Sequence, residues 1–281
     1  MKLLIDADLY AYRAASSAEN EEEHIAISRL HDMFHNTFAA VEHDDYKCFL
    51  TGGGNFRKYL DPNYKANRTQ PKPKWLQACR AEIIMRYKGV VVDGYEADDA
   101  IGIFSAADTV CVSIDKDLRQ IPGWHYNFVK GILDEVDPYE AEYNFYRQFL
   151  IGDRADNIIG VAGLGEKKAE RILFGLSPDE MFDKVRELYN DDIRFHLNGM
   201  LLHILRSEND IWLPKKLEGL WFGLGLSEVV AESKSAYYAL TSEESTQLQE
   251  HIGRISMTAG KSAVGISTDE SIQEESKVDL T

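Results

Sequence analysis

The sequence of 281 residues predicts an α/β fold, with a mainly parallel central sheet flanked by helices and followed by a C-terminal helical module. Short apolar runs alternate with segments of helical periodicity over the first 150 residues, which is typical of parallel strands joined by helices. These strand signals fade after about Gly152, where helical patterns continue alone. Acidic residues also recur where the predicted strands end.

Four strands and four helices are predicted in the first part of the chain. The strands cover residues 2–5, 46–51, 90–92 and 109–114, and the helices cover residues 24–41, 75–87, 97–107 and 138–150. Further helices are predicted at 179–189, 193–205 and 243–255. These elements suggest an α/β domain at 1–150 with a basic arch at about 55–74, a helical module at 151–258, and a disordered tail at 259–281.

The composition is that of a globular protein, with 44% hydrophobic and 28% charged residues. No apolar run has membrane-spanning length, and the acid at position 6 argues against a signal peptide. Three scattered cysteines without metal-binding spacing indicate a reducing compartment, so we expect a cytoplasmic protein. The net charge of -16 argues against a nucleic-acid partner unless the acids are concentrated where cations bind.

The acidic residues near the strand ends are expected to meet, because the carboxyl ends of strands in an open parallel sheet form one edge. They are Asp6, Asp8, Glu96, Asp98, Asp99, Asp115, Asp117, Asp153 and Asp156. So many like charges require divalent cations, and hard oxygen ligands suit Mg²⁺ or Mn²⁺. Two such ions about 4 Å apart can clamp a phosphodiester. Helix capping remains an alternative for Asp98, Asp117 or Asp156 individually, and Asp8 can equally be a solvated first-turn acid.

Basic and aromatic side chains alternate in the arch. They are Arg57, Lys58, Lys65, Arg68, Lys72 and Lys74, interleaved with Phe56, Tyr59, Tyr64 and Trp75. Basic groups neutralise phosphates and aromatic rings stack on unpaired bases, so the arch predicts binding of single-stranded nucleic acid. A solvated basic loop is the alternative.

A second candidate for nucleic-acid binding is Gly163-Leu164-Gly165, which is followed by Lys167 and Lys168. Two glycines allow backbone N–H groups to approach a phosphate at a helix N-terminus, and the lysines add charge. An ordinary helix cap and turn is the alternative. No base-reading side chains accompany the glycines, so we expect binding that selects structure and not sequence.

Five segments resemble, in order, the motifs of the bacteriophage and bacterial 5′→3′ exonucleases, relatives of flap endonucleases and of the polymerase-associated 5′-nuclease domain. They read LIDADLYAYRA, FRKYLDPNYKANR, GYEADDAIG, SIDKDLRQI and IGDRADNIIGVAGLGEKKAERIL. The resemblance covers roughly residues 1–210, and the order of five motifs is far more specific than any single one.

The resemblance implies a PIN-like nuclease domain followed by a helix–hairpin–helix module. It also implies metal-dependent hydrolysis of DNA near 5′ ends, nicks or flaps, with RNA–DNA hybrids as further substrates, in replication, recombination or primer removal. For a phage protein the location would be the host cytoplasm. Metal ligands for two Mg²⁺ or Mn²⁺ ions then fall at Asp6, Glu96, Asp98, Asp99, Asp115, Asp117, Asp153 and Asp156. Lys65 and Arg68 fall beside the scissile phosphate as catalytic residues, and the DNA-binding residues are Arg57, Lys58, Tyr64, Gly163, Gly165, Lys167 and Lys168.

One position departs from the family pattern. The family has an aspartate just after the second strand, and the spacing places Gly52 there. Asp8 is a candidate to compensate, and Gly52→Asp is expected to leave the fold intact and tighten metal binding. The departure keeps open a DNA-binding protein of the same fold with weakened catalysis. A PIN-type ribonuclease is a third reading, which leaves the helix–hairpin–helix without a reason.

Overall fold

Six strands form the central sheet. Their bounds are β1 Lys2–Asp6, β2 Asp45–Thr51, β3 Val90–Val92, β4 Thr109–Val112, β5 Gly123–Asn127 and β6 Ile132–Val136. The computed structural model describes residues 1–207 together with 210 and 212. The strand order is β3-β2-β1-β4-β5-β6, and every neighbouring pair is parallel except β5 and β6. The prediction of a mainly parallel sheet flanked by helices is therefore confirmed.

Helices cover both faces of this sheet. They are α1 Ala7–Ser17, α2 Glu23–Ala40, α3 Arg57–Leu60, α4 Leu76–Arg86, α5 Ala97–Phe104, α6 Pro138–Ile151, α7 Glu166–Leu173, α8 Pro178–Tyr189 and α9 Asp192–Leu202. Successive strand side chains point to opposite faces. Leu3 and Ile5 of β1 accordingly join the core under α1, α2 and α4, whereas Leu4 joins the core under α5.

A third core lies among α6, α7, α8 and α9. Phe149 and Phe195 stack at its centre with ring centroids 4.9 Å apart. A short antiparallel pair, β7 Gly152–Asp153 and β8 Ile158–Ile159, connects α6 to the loop before α7. This part of the chain is helical as expected, while the helix–hairpin–helix and the domain boundary at residue 150 remain predictions.

The sequence patterns miss the helix α1 and the two strands of the β5–β6 hairpin. The helix α1 starts where the Asp6 side chain accepts a hydrogen bond from the Leu9 N–H, and it buries mainly alanines, whose low hydrophobicity hides the helical period. The hairpin of β5 and β6 turns at Gly131, which has a φ of +66°. Glycine is favoured there because it adopts this conformation without a Cβ clash.

The predicted arch is partly ordered by packing. Residues 57–60 form α3, and the side chains of Phe56, Arg57 and Tyr64 are buried. The predicted helix at 243–255 and the tail at 259–281 lie outside the described residues. In the part of the chain that is described, no helix is both long enough and apolar enough to cross a membrane.

Candidate metal and nucleic-acid site

The site begins at the carboxyl ends of the two central strands, β1 and β4. These strands are neighbours in the sheet. From β1 the chain adds β2 and β3 on one side, and it then returns to add β4 and β5 on the other side. Ligands of open parallel sheets bind where the strand order reverses in this way. Asp6 closes β1, and the Ser113 hydroxyl just after β4 donates to its Oδ2 at 3.0 Å. The two strand ends thus bring Asp6 close to Asp115.

Three carboxylates near this point perturb one another. Burial, followed by the charges of Asp8 and Asp115, raises the pKa of Asp6 to about 7. Burial and then the charges of Asp6 and Asp115 hold the pKa of Asp98, in the first turn of α5, well above its ordinary value. Such shifts arise because burial and then the neighbouring negative charges disfavour the ionised form of each carboxyl group.

A second group of carboxylates surrounds Asp117. Burial, followed by the charges of Asp115 and Asp153, raises the pKa of Asp117 to about 7. Burial also raises the pKa of Asp115, against the opposing N–H of Asp117, and the charges of Asp156 and Asp153 add to the increase. Asp115 therefore interacts with both groups and lies between them.

The carboxylate cluster, which we define as Asp6, Asp98, Asp115, Asp117 and Asp153, has the chemistry of a divalent-metal site. Its donors are hard oxygen atoms, and a divalent cation would offset the repulsion among its charges, which adds to the effect of burial on the pKa values of Asp6, Asp98 and Asp117. Within the described residues, no three acidic, histidine or cysteine side chains are arranged so that they could hold a metal ion together. A Mg²⁺ ion keeps several waters and takes only one or two carboxylates directly, so the residues present fit such an ion.

Two basic side chains reach acids at the rim of the carboxylate cluster. Lys65 Nζ forms an ion pair with Glu96 and lies 3.5 Å from Asp156 Oδ2. Arg68 is paired with Asp156 Oδ1 at 2.5 Å. The Tyr64 hydroxyl stands between the same two acids, 2.8 Å from Glu96 Oε2 and 3.0 Å from Asp156 Oδ2. The structure thus places the expected catalytic cations beside two of the expected metal ligands.

The backbone of Lys65 is in the left-handed region, with a φ of +58°. This conformation costs a non-glycine residue about 1–2 kcal/mol. The Lys65 N–H donates to the Asp156 carbonyl at 2.9 Å, and the side chain is held by Glu96. Strain of this kind persists only where surrounding contacts fix it, which is typical of functional sites.

Arg57 and Asp99 form an internal ion pair. The guanidinium of Arg57 donates to both Asp99 oxygens, at 2.6 and 2.8 Å, and the two side chains are 3% and 0% exposed. Burial raises the pKa of Asp99, but the charge and hydrogen bonds of Arg57 outweigh it and bring the pKa below its ordinary value. The structure corrects two expectations: Arg57 is not free to contact DNA, and Asp99 is not free to ligate a metal.

The expectation for Tyr64 is corrected as well. Its ring is 3% exposed and packs in the core with Phe149 and Leu150 of α6, so it cannot stack on an unpaired base. The neighbouring arch cation Lys58, by contrast, is exposed on α3. Of the predicted arch cations, those exposed to solvent are Lys58, Arg68, Lys72 and Lys74.

Asp8 ties three elements together. Its Oδ2 accepts the Thr51 N–H at 2.7 Å, and its Oδ1 is paired with Arg80 of α4. Arg80 also donates to the Thr51 carbonyl at 2.7 Å. Both oxygens of Asp8 therefore join α1 to β2 and α4, and this use does not support a role in place of the missing family aspartate.

A different acid occupies the space beside Gly52. Asp93, which follows β3, accepts the Gly53 N–H at 2.7 Å. A Cβ atom at position 52 would lie 2.0 Å from Asp93 Oδ1 and 2.8 Å from the Val92 carbonyl. Gly52→Asp therefore requires Asp93 and the backbone beside it to shift, so we expect the substitution to lower stability. The strand-end rule could have found Asp93, since it directly follows a predicted strand.

The glycine and lysine residues before and within α7 face solvent. Gly163 has a φ of +74°, and Gly165 is the extended N-cap residue of α7. Lys167 and Lys168 are exposed, and Lys168 Nζ donates to the Gly163 carbonyl at 2.9 Å. This helix N-terminus has free N–H groups and two cations, the combination that binds anions.

Known proteins resemble this chain in sequence. A family model described as 5′-3′ exonuclease, N-terminal resolvase-like domain, matches residues 1–146. The 5′-3′ exonuclease of Mycoplasma pneumoniae is 30% identical over 210 residues, which cover 61% of this chain and 70% of that protein. DNA polymerase I of Bacillus caldotenax is 29% identical over 235 residues. That match covers 71% of this chain but only 27% of the polymerase.

Solved structures share the fold. A bacteriophage T5 flap endonuclease in a complex with DNA and metal ions has a TM-score of 0.58 and 16% identity, covering 84% of this chain and 99% of that one. The T5 5′-exonuclease with bound zinc has a TM-score of 0.54 and 16% identity, covering 86% and 99%.

The fold and the acid-lined edge of the sheet define an α/β domain of nuclease type. The chain belongs to the 5′-3′ exonuclease family, whose N-terminal resolvase-like domain spans residues 1–146.

Proposed function

We propose that this chain is a divalent-metal-dependent 5′→3′ exonuclease and structure-specific 5′-flap endonuclease that hydrolyses DNA phosphodiester bonds. One observation carries the proposal. Acids from the end of β1, the segment after β4, α5 and the segment after α6 meet at one edge of the sheet, beside Lys65 and Arg68. The names of the relatives support it, because they include 5′-3′ exonucleases and a flap endonuclease bound to DNA and metal ions.

The carboxylate cluster would hold two Mg²⁺ or Mn²⁺ ions. Such ions supply Lewis-acid activation of water and neutralise charge on the phosphodiester. The protein residues fix where these ions bind. Asp6 and Asp98 form one side of the cluster, Asp117 and Asp153 form the other, and Asp115 stands between them.

Lys65 and Arg68 would exchange partners when DNA enters. Without DNA they are paired with Glu96 and Asp156. A phosphate next to these acids offers the same cations an anionic partner, and cations fixed there offset the charge that develops during hydrolysis. The Arg68 side chain is 56% exposed, so it can turn towards a DNA strand without leaving a buried cavity behind.

Lys167 and Lys168 would bind the duplex part of the substrate through its phosphates. Replacing both by alanine is expected to weaken duplex binding equally for all sequences. Each lost phosphate contact should reduce the slope of log affinity against log salt by about 0.9. Lys184→Ala is a suitable control, because Lys184 lies on the next helix and is paired with Glu187. A loss that depends on base sequence would contradict the assignment.

The central test is cleavage of a 5′-labelled flap substrate in Mg²⁺ or Mn²⁺. We expect cleavage that stops when a chelator is in excess. Asp115→Asn should abolish cleavage and preserve metal-free DNA binding, because the substitution removes a negative charge near the phosphate. Asp134→Asn is the matched control, since Asp134 lies on the edge strand β6 and is paired with Arg119. Cleavage that survives the chelator, or an active Asp115→Asn variant, would refute the proposal.

The glycine at position 52 favours one alternative, a DNA-binding protein of this fold with weakened catalysis. That protein would bind the flap substrate without cutting it in either metal. Comparing DNA, RNA and RNA–DNA hybrid substrates in the same assay separates a DNA nuclease from a PIN-type ribonuclease. A cytoplasmic role in replication, recombination or primer removal is part of the proposal.

A further inference from the structure

A chain of buried amides leads from α9 to the carboxylate cluster. Gln120 Nε2 donates to the Leu202 carbonyl of α9 at 3.0 Å and to Gln148 Oε1 at 2.8 Å. Gln148 Nε2 in turn donates to Asp153 Oδ2 at 3.3 Å. Gln120, Gln148 and Asp153 are 2%, 8% and 6% exposed. The three side chains therefore form one continuous path in the protein interior.

The direction of each amide in this path is fixed. The Leu202 carbonyl can only accept a hydrogen bond, so the amide nitrogen of Gln120 must face it. The same nitrogen has a second proton, which leaves Gln148 Oε1 as the acceptor. The nitrogen of Gln148 must then face the acids. Gln120 Oε1 accepts no hydrogen bond from any described residue, so the only described role of this side-chain amide is to donate.

Gln148 serves two acids. Besides its hydrogen bond to Asp153, its amide is near enough to the Asp117 carboxylate to oppose the rise of the Asp117 pKa that burial causes. An amide nitrogen has two protons, enough for one carboxylate each. The other Asp153 oxygen accepts the Ala155 N–H at 2.7 Å. Asp153 is thus held on both sides.

A neutral donor suits this position for an electrostatic reason. Two carboxylates repel each other and would turn apart unless donors hold them. A lysine would hold them by occupying the place of a cation, as Lys65 does beside Glu96. An amide holds them without neutralising them, so the full negative charge remains available to a metal ion. Hydrogen-bonded partners of metal ligands orient those ligands in this way.

We propose that Gln148, oriented by Gln120, is a positioning residue that sets the Asp117–Asp153 pair for one of the two divalent cations. This inference rests on the proposed function. It assigns the two ions to unequal surroundings: the Asp6–Asp98 side has no contact with this amide path, whereas the Asp117–Asp153 side depends on it. Removing the amide path should therefore weaken the binding of one ion and leave the binding of the other unchanged.

The test measures binding of Mn²⁺ alone to the full chain, by calorimetry and by electron paramagnetic resonance, without DNA. The variant Gln148→Met keeps a similar shape and removes the donor. We expect wild-type protein to bind two Mn²⁺ ions. In Gln148→Met, the affinity for one ion should stay unchanged, and the affinity for the other should fall about 10- to 100-fold. A loss of this size is usual when a group that orients a metal ligand is removed. Gln120→Met should weaken the binding of the same ion by a smaller factor than Gln148→Met does, because Gln148 is still present and loses only the hydrogen bond that orients it.

Asn144→Met is the matched control. Asn144 lies one turn before Gln148 on α6, and its amide donates to the Arg119 carbonyl at 3.2 Å and not to the cluster. This variant should bind both ions normally. A thermal melt of each metal-free variant monitors folding, and Gln120→Met provides the measurement if Gln148→Met does not fold. If Gln148→Met weakens the binding of both ions equally, or the binding of neither ion, the inference is overturned and the proposed function is unaffected. Wild-type protein that binds no Mn²⁺ would overturn both.

Discussion

Replacing Arg57 by alanine should destabilise the fold, although the sequence places this residue among DNA-binding cations. The buried guanidinium of Arg57 donates four hydrogen bonds. Two go to the Asp99 carboxylate, one to the Leu201 carbonyl at 2.9 Å and one to the His203 carbonyl at 2.6 Å. Arg57 thereby joins α3, α5 and the end of α9.

The size of the loss follows from what the substitution leaves behind. Removing one partner of a buried ion pair costs about 3–5 kcal/mol, because the other charge stays buried and unpaired. The two backbone carbonyls also lose their donor, which adds to the cost wherever water cannot replace it. We expect Arg57→Ala to lower the free energy of unfolding by about 4 kcal/mol, a large part of the 5–15 kcal/mol of an ordinary domain.

Urea denaturation of the metal-free protein measures this loss. Arg68→Ala is the control, because an exposed ion pair contributes at most about 1 kcal/mol. Replacing the pair together, as Arg57→Met with Asp99→Leu, should recover part of the stability, because no buried charge remains unpaired, although the Leu201 and His203 carbonyls still lack their donor. Arg57→Lys provides a measurable variant if the alanine form does not fold. An Arg57→Ala protein of nearly normal stability that binds flap DNA poorly would refute this reasoning and restore Arg57 as a DNA contact.

Three further predictions concern the acids. The folded pKa values of Asp6 and Asp117 are raised to about 7, above the unfolded value. Their stabilising contribution is therefore present below about pH 4 and is lost as the pH rises through about 7. The metal-free protein should melt at a lower temperature at about pH 8 than at about pH 5.5, and Mg²⁺ should stabilise it more at the higher pH; a metal-free melting temperature that rises with pH would contradict this. Gly52→Ala should lower the melting temperature through its clash with Asp93, and Asp93→Gly in the same chain should restore part of the loss; an unchanged melt in the single variant would mean that position 52 is open. Asp8→Asn should reduce stability by about 1 kcal/mol and leave Mn²⁺ stoichiometry unchanged, whereas loss of an ion would make Asp8 a ligand.

The fold class and the location of the site follow from local patterns in the sequence. Strand and helix periods depend on which side chains face the core, and that pattern is written along each segment. The edge at which the acids meet follows from one rule, because parallel strands all end on the same side of a sheet. Asp6, Asp98, Asp115 and Asp117 could therefore be placed together before any contact was known.

The sequence alone could not assign different roles to adjacent residues of the same type. Asp98 and Asp99 stand side by side in α5, but successive helical positions point about 100° apart. Asp98 consequently faces the carboxylate cluster, and Asp99 faces Arg57. Lys58, the neighbour of Arg57, is exposed for the same reason. The sequence shows that charges are present, whereas the packing of α3 against α9 decides which of them remain available to a ligand.

Contacts between distant segments were also beyond the sequence. Asp93 fills the space beside Gly52 because β2 and β3 are paired in register, and no pattern within either segment announces that pairing. Gln120 and Gln148 look like ordinary surface amides in the sequence, yet both are buried in line with Asp153. A local pattern specifies the face that each element presents to the core. Only the assembled tertiary structure specifies which partner meets that face, because the partner comes from elsewhere in the chain.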